Sequence, residues 1–259
     1  MPEGDTIHAV ARALGPDLEG RLLTVLEVHQ RQVPWGPGAR VSACEAVGKH
    51  LFVRFETSLG ERFVRVHLGM KGSWHRYRPG ESWQRNPIDR RLVIATSEWL
   101  FVCFGPKEVE VGMRPVASHL GPDLLGVEFD TDEVVRRARG APLDLGDLLL
   151  TQTVACGIGN VYKSETLFLE RLDPWRATAS VSDGQLVSIY QRARALMQDN
   201  LSRGGWRMTM PRTVLARSGQ RYWVYRRANR PCRTCGTLVL SRLQGLMARM
   251  TYWCPRCQT

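Results

Sequence analysis

The four cysteines near the end of the chain constrain its fold more than any other feature. Cys232 and Cys235 form one C-x2-C pair and Cys254 and Cys257 a second, separated by residues 236–253. Two tight knuckles at this spacing can gather four thiolates into a tetrahedron, the geometry of a structural zinc site. Four thiolates leave no coordination position open for water, so one Zn2+ here would hold structure and not carry chemistry. Disulfides or a redox pair would be the other uses of such cysteines. No signal peptide is read at the start, and no βαβ pattern surrounds the motif, which disfavours both. We therefore expect a zinc ribbon over residues 229–259. Cys44, Cys103 and Cys156 lie on apolar segments and are expected to be buried core thiols.

Charge is distributed unevenly around this ribbon. From Leu201 to Thr259 there are twelve arginines and no lysine, aspartate or glutamate. The whole chain has 36 basic and 25 acidic residues, which leaves 24 against 25 before that point and puts the net +11 at the C-terminal end. Such a segment repels itself unless it meets an anion, and a nucleic-acid phosphate backbone is the expected partner. Trp206, Tyr222, Trp223, Tyr225, Tyr252 and Trp253 are interleaved with those arginines, a mixture that suits nucleic acid better than lipid. Lysine is scarce: only Lys49, Lys71, Lys107 and Lys163 stand against 32 arginines. A lysine in this background is expected to do what arginine cannot, delivering a proton or acting as a compact point charge.

The remainder divides by periodicity. After "MPEG", Asp5 or Thr6 would cap a short helix that Gly15-Pro16 stops. Alternating or short apolar runs follow ("RLLTVLEVHQR", "ARVSACEAVGKHLFVRFE", "ERFVRVHLGM", "RRLVIATSEWLFVCFG", "EVEVGM"), and they predict antiparallel strands of a sandwich or barrel. Near "HLGPDLLGVEFDTDE" the pattern turns helical, with helices expected at residues 131–139, 143–151, 161–172 and 182–201. "QTVACGIGNVYKSETLFLERLDPW" predicts a helix, a glycine turn and a second helix with Asn160 as N-cap and outward-pointing N–H groups ready for phosphate. No uninterrupted apolar stretch approaches the roughly 18 to 20 residues of a membrane span. A soluble, cytoplasmic, nucleoid-associated monomer is expected.

With these pieces in place the chain resembles the formamidopyrimidine-DNA glycosylase and endonuclease VIII family of base-excision repair enzymes, essentially end to end. The resemblance rests on "MPEG", "GKHLF", "HLGM", "HLGPDLL", "GIGNVYKSETLF" and "CRTCG…RMTYWCPRCQ". It implies an α+β multidomain fold. A catalytic antiparallel β-sandwich with a leading helix would span residues 1–118, with a linker at 119–130. A helix-two-turn-helix domain would follow at 131–228 and the four-cysteine zinc ribbon at 229–259.

The resemblance also assigns roles. With the initiator methionine removed, Pro2 would attack C1′ of a damaged deoxynucleotide and form a Schiff base, which no internal proline can do because its nitrogen is tied up in an amide. Glu3 would protonate the sugar ring oxygen, although a helix start stabilises a carboxylate as the anion and opposes that role. Lys49 would assist proton transfer from an early strand. Asn160 and Arg249 would contact backbone phosphates, Arg249 also assisting elimination, and Met70 would fill the gap left by the extruded nucleotide. Members that act on oxidised purines usually carry a "DPRRFG"-like hairpin where this chain has "CFGPKEVEVGM", and the opening "MPEGDT" lacks the common proline-glutamate continuation. Both departures lean towards the endonuclease VIII branch. The expected activity is a DNA glycosylase and abasic-site lyase that removes oxidised pyrimidines from damaged duplex DNA and nicks by β/δ-elimination. An oxidised-purine glycosylase and a non-catalytic zinc-ribbon DNA binder are the alternatives.

Overall fold

A computed structural model describes residues 2–113, 119–202 and 222–259 of the chain. Trp206 and the arginines at 203, 207, 212, 217 and 221 lie outside the described residues. The described chain forms two compact units, one of residue 2 with residues 6–113, the other of residues 3–5, 119–202 and 222–259.

The first unit is a two-sheet sandwich with a leading helix. Helix α1 (Gly4–Leu18) precedes strands β1 (Val25–Val28), β2 (Arg31–Gln32), β3 (Arg40–Val47), β4 (His50–Thr57), β5 (Gly60–His67), β6 (Ser73–Tyr77), β7 (Arg90–Ala95), β8 (Leu100–Phe104) and β9 (Glu108–Gly112). One sheet runs β2-β1-β7-β8-β6 and the other β3-β4-β5-β9, with every neighbouring pair antiparallel. Alternation places Leu51, Val53 and Phe55 of β4 with Leu92 and Ile94 of β7 and Phe101 and Cys103 of β8 in one core, which Ile7, Leu14 and Leu18 of α1 join. Each such fully buried side chain stabilises by about 1.5–3 kcal/mol. The opposite face of the five-stranded sheet buries Tyr77, Val93, Val102 and Phe104, with Trp83 from the loop before β7 packed on them.

Three expectations for this unit need correction. Helix α1 starts at Gly4, two to three residues earlier than a cap at Asp5 or Thr6 implies, and runs through Gly15-Pro16 to Leu18. Pro16 removes only one N–H near the helix end, and the complete burial of Leu14 and Leu18 offsets that loss. Lys49 does not lie on a strand. Val47 pairs with His50, so Gly48-Lys49 is a two-residue hairpin turn with Gly48 at φ +56°. Strand β6 does not follow from the apolar pattern, because its His75-Arg76 interior hides the alternation. Cys44 and Cys103 are buried as expected, and burial pushes the Cys44 thiol up to about 12.

The second unit packs α2 (Thr131–Arg139), α3 (Leu145–Leu150), α4 (Asn160–Leu169) and α5 (Asp183–Ser202) around Leu148, Leu149, Ile158, Tyr162, Leu167, Leu186 and Ile189. Cys156 is buried here. The hairpin of β10 (Leu240–Gln244) and β11 (Arg249–Trp253) pairs Gln244 with Arg249 at its tip. Among the described residues, no helix is long and apolar enough to cross a membrane.

Candidate active site and metal centre

In the second unit, residues 3–5 are locked onto the turn before α4. Glu3 is 0% exposed, and its carboxylate accepts the backbone N–H groups of Gly159 at 2.8 Å, Val161 at 2.8 Å and Tyr162 at 3.3 Å. These are the unpaired donors of a helix start, and together with the helix dipole they stabilise the ionised form of Glu3. The expected outward phosphate site on this turn is therefore corrected: a side chain of the same chain occupies it. Gly159, not Asn160, is the N-cap residue. A Cβ on Gly159 would sit 2.4 Å from Glu3 Cδ, so glycine is required for the carboxylate to approach.

Gly4 N–H donates to Gly157 O at 2.9 Å, and a Cβ on Gly4 would sit 2.8 Å from Gly157 Cα. Asp5 does not cap α1. It lies within the helix, is 0% exposed, and its Oδ2 accepts from the Tyr162 phenol at 2.7 Å and from the Asn200 amide. Burial first, and then the Asp5 carboxylate, hold the Tyr162 phenol well above its usual pKa. Sequence reasoning gave neither Tyr162 nor Asn200 a role.

Asn160 reaches the hairpin of the four-cysteine ribbon, its Nδ2 donating to Met250 O at 2.7 Å. Arg249, the preceding residue in β11, is exposed. Glu165 of α4 is 0% exposed and accepts backbone N–H groups from Trp223 at 2.7 Å, Val224 at 3.0 Å and Tyr225 at 2.9 Å. Burial raises its pKa while the three N–H donors pull it down.

The four ribbon thiols converge as the spacing predicts. The Sγ atoms of Cys232, Cys235, Cys254 and Cys257 all lie within 4.8 Å of one another, with Cys232–Cys257 at 3.9 Å and Cys235–Cys254 at 3.5 Å. A tetrahedron with metal–sulfur bonds of about 2.3 Å has edges of about 3.8 Å. The donor set fits a metal ion in a closed site, beside a small core of Phe168, Val224 and Val239.

In the first unit, the expected site residues share one end of the four-stranded sheet. His50 pairs with His67 and His67 with Glu108, which brings the Lys49 turn, the loop after β5 that holds Met70 and Lys71, and Lys107 before β9 to the same edge. Met70 is 73% exposed, unlike a core methionine. Every lysine of this unit is here. Burial lowers the His67 pKa most, and the cations Lys107, Lys49 and Arg65 lower it further against the opposing Glu108. Pro2 belongs to this unit; Glu3, Asn160, Arg249 and the ribbon cysteines belong to the other.

Comparison with known proteins identifies the family. The family described as "Formamidopyrimidine-DNA glycosylase N-terminal domain" matches residues 1–104, and the "Formamidopyrimidine-DNA glycosylase H2TH domain" matches residues 120–211. The chain is 36% identical to the probable endonuclease 8 2 of Streptomyces coelicolor, over all of this chain and 94% of that protein. It is also 36% identical to the DNA-(apurinic or apyrimidinic site) lyase Nei2 of Mycolicibacterium smegmatis, over all of this chain and 99% of that one. The crystal structure of the MutM (Fpg) protein of Thermus thermophilus superposes with a TM-score of 0.78 at 25% identity, covering 99% of this chain and 98% of that one. The fold, the four-cysteine cluster and the full-length relatives agree: the chain belongs to the formamidopyrimidine-DNA glycosylase and endonuclease VIII family of DNA-binding repair glycosylases and abasic-site lyases.

Proposed function

We propose that this protein removes oxidised pyrimidines from damaged duplex DNA through a Schiff base on Pro2 and then nicks the strand by β- and δ-elimination. The observation that carries this is the burial of Glu3 in three backbone N–H bonds, which fixes the residue bonded directly to Pro2.

That cradle also suggests how Glu3 overcomes its preference for the ionised form. Once the initiator methionine is removed, the neutral Pro2 nitrogen attacks C1′, a C–N bond forms, and the glycosidic bond breaks with its electron pair leaving on the base, which takes a proton from water. The nitrogen, now carrying a surplus proton, gives it to the Glu3 carboxylate. Glu3 then delivers that proton to the ring oxygen as the C1′–O4′ bond breaks, leaving an iminium ion and a carboxylate. The anion held by α4 is thus the correct starting form, since the acid is generated by the attack itself.

The iminium acidifies C2′–H, and loss of that proton expels the 3′ phosphate. A second elimination releases the 5′ phosphate. Arg249 and Asn160 hold the phosphates, Lys49 supplies a compact charge for proton transfer, and exposed Met70 fills the vacated stack and so offsets unstacking of a few kcal/mol. Cys232, Cys235, Cys254 and Cys257 would hold one zinc ion, which would fix the hairpin that presents Arg249. No arginine or aromatic residue stands in the β8–β9 turn, Gly105-Pro106-Lys107, which favours pyrimidine lesions over purine ones. A panel of duplexes carrying thymine glycol, dihydrouracil, 5-hydroxycytosine or 8-oxoguanine tests this. Cleavage of the three pyrimidine lesions ahead of 8-oxoguanine is expected, and the reverse order rejects the pyrimidine assignment.

A further inference from the structure

Three of the four lysines stand at a sheet edge, but Lys163 is 0% exposed inside α4. Its Nζ donates to Thr251 Oγ1 at 2.6 Å, and that hydroxyl donates onward to Gln244 Oε1 at 2.8 Å. Gln244 Nε2 completes the chain by donating to Pro174 O at 2.8 Å. The space is closed: a Cβ on Gly146 would lie 2.2 Å from Gln244 Oε1.

Asn160 and Lys163 are one helical turn apart on α4, and their acceptors, Met250 O and Thr251 Oγ1, are adjacent in β11. Two bonds at that spacing fix both the position and the direction of the strand that begins with Arg249. Desolvating an ammonium ion is costly, so a side chain serving packing alone would be apolar. An arginine would bring a wide fork to a site with a single hydroxyl acceptor.

We infer that Lys163 is a positioning residue for strand nicking, tying the α4 turn that holds Glu3 to the strand that carries Arg249 so that both act on the same sugar-phosphate. This rests on the roles proposed above for Glu3 and Arg249.

The groups facing the ammonium are Asp147 from α3, Glu3 ahead of α1 and Arg249 from β11. Burial lowers its pKa to about 8, with Arg249 acting in the same direction and the two carboxylates opposing. Below that pH the charged donor is in place, and above it the tie weakens. Stability behaves oppositely. With the folded pKa below the usual 10.5, the unfolded chain holds more protons between the two values, so this group adds stability as pH rises through that window. Loss of nicking above about pH 8 is therefore separable from unfolding.

The test uses the full-length zinc-loaded protein as wild type, Lys163→Met and Thr251→Val, measuring nicking of abasic-site duplex and borohydride trapping across about pH 6 to 10, a range that brackets the lysine's titration. Thr251→Val keeps the shape and removes the acceptor, so it serves if the lysine variant does not fold. Expected are a nicking rate roughly tenfold lower near neutral pH, trapping at the wild-type rate, and loss of the alkaline decline seen in wild type. Wild-type nicking with the decline intact overturns the inference, as does equal slowing of trapping and nicking. A wild-type protein that forms no trapped adduct overturns the roles of Pro2 and Glu3 as well, which distinguishes that failure from this one.

Discussion

The two units treat polar side chains in opposite ways. Among the described residues of the sandwich, the buried polar side chains are Thr6 and Thr96, and its ionisable cluster of Lys49, His50, His67, Lys71, Lys107 and Glu108 sits at a sheet edge. The second unit buries Glu3, Asp5, Lys163 and Glu165, together with Asn160, Asn200, Gln244, Thr251 and Gln258. Each buried charge costs several kcal/mol of desolvation before its partners offset it. The sandwich is held by apolar packing and offers its ionisable groups at an edge. The helical unit gives up packing stability to fix carboxylates, an ammonium and backbone donors in place.

Removal of the metal should break the comparison most strongly. Thiolate sites contribute about 10–16 kcal/mol of apparent folding energy, so a chelator should unfold the ribbon. The register of β11 against α4 goes with it, while the sandwich keeps its β-sheet signal. Circular dichroism with a nicking assay checks this, and loss of the sheet signal at the same chelator concentration would show that the units are not held independently. Phe55→Ala probes the other side. This ring is 0% exposed and packs 5.6 Å from Trp35, so its loss should cost about 3–5 kcal/mol by denaturant melting. Nicking per folded molecule should stay near wild type. A change in the chemistry of the folded fraction would mean that the apolar core also positions the site.

Which features were legible in the sequence follows from the same contrast. The sandwich strands announce themselves because alternation is local: β4 reads Leu51, Val53, Phe55 inward within eight residues. The ribbon is legible because its donors carry their own spacing. Helix α4 is legible as a helix with a candidate phosphate site at its start, but its buried polar interior is not legible. Nine consecutive residues, Asn160 to Phe168, are buried, and the charged ones among them look like a solvated face. Their partners lie far away in sequence: Glu165 meets residues 223–225, Lys163 meets Thr251, and Glu3 meets residues 159–162. No window of sequence contains both halves of such a contact. Only the scarcity of lysine marked Lys163, and only the resemblance to the glycosylase family marked Glu3.

The account depends most on the covalent chemistry of the chain terminus. Methionine-processed protein is incubated with abasic-site duplex and borohydride, and the adduct is mapped by peptide mass spectrometry. The account predicts one DNA-linked adduct, on the peptide that begins with Pro2. No adduct, or an adduct on a lysine peptide such as that of Lys49, would contradict it.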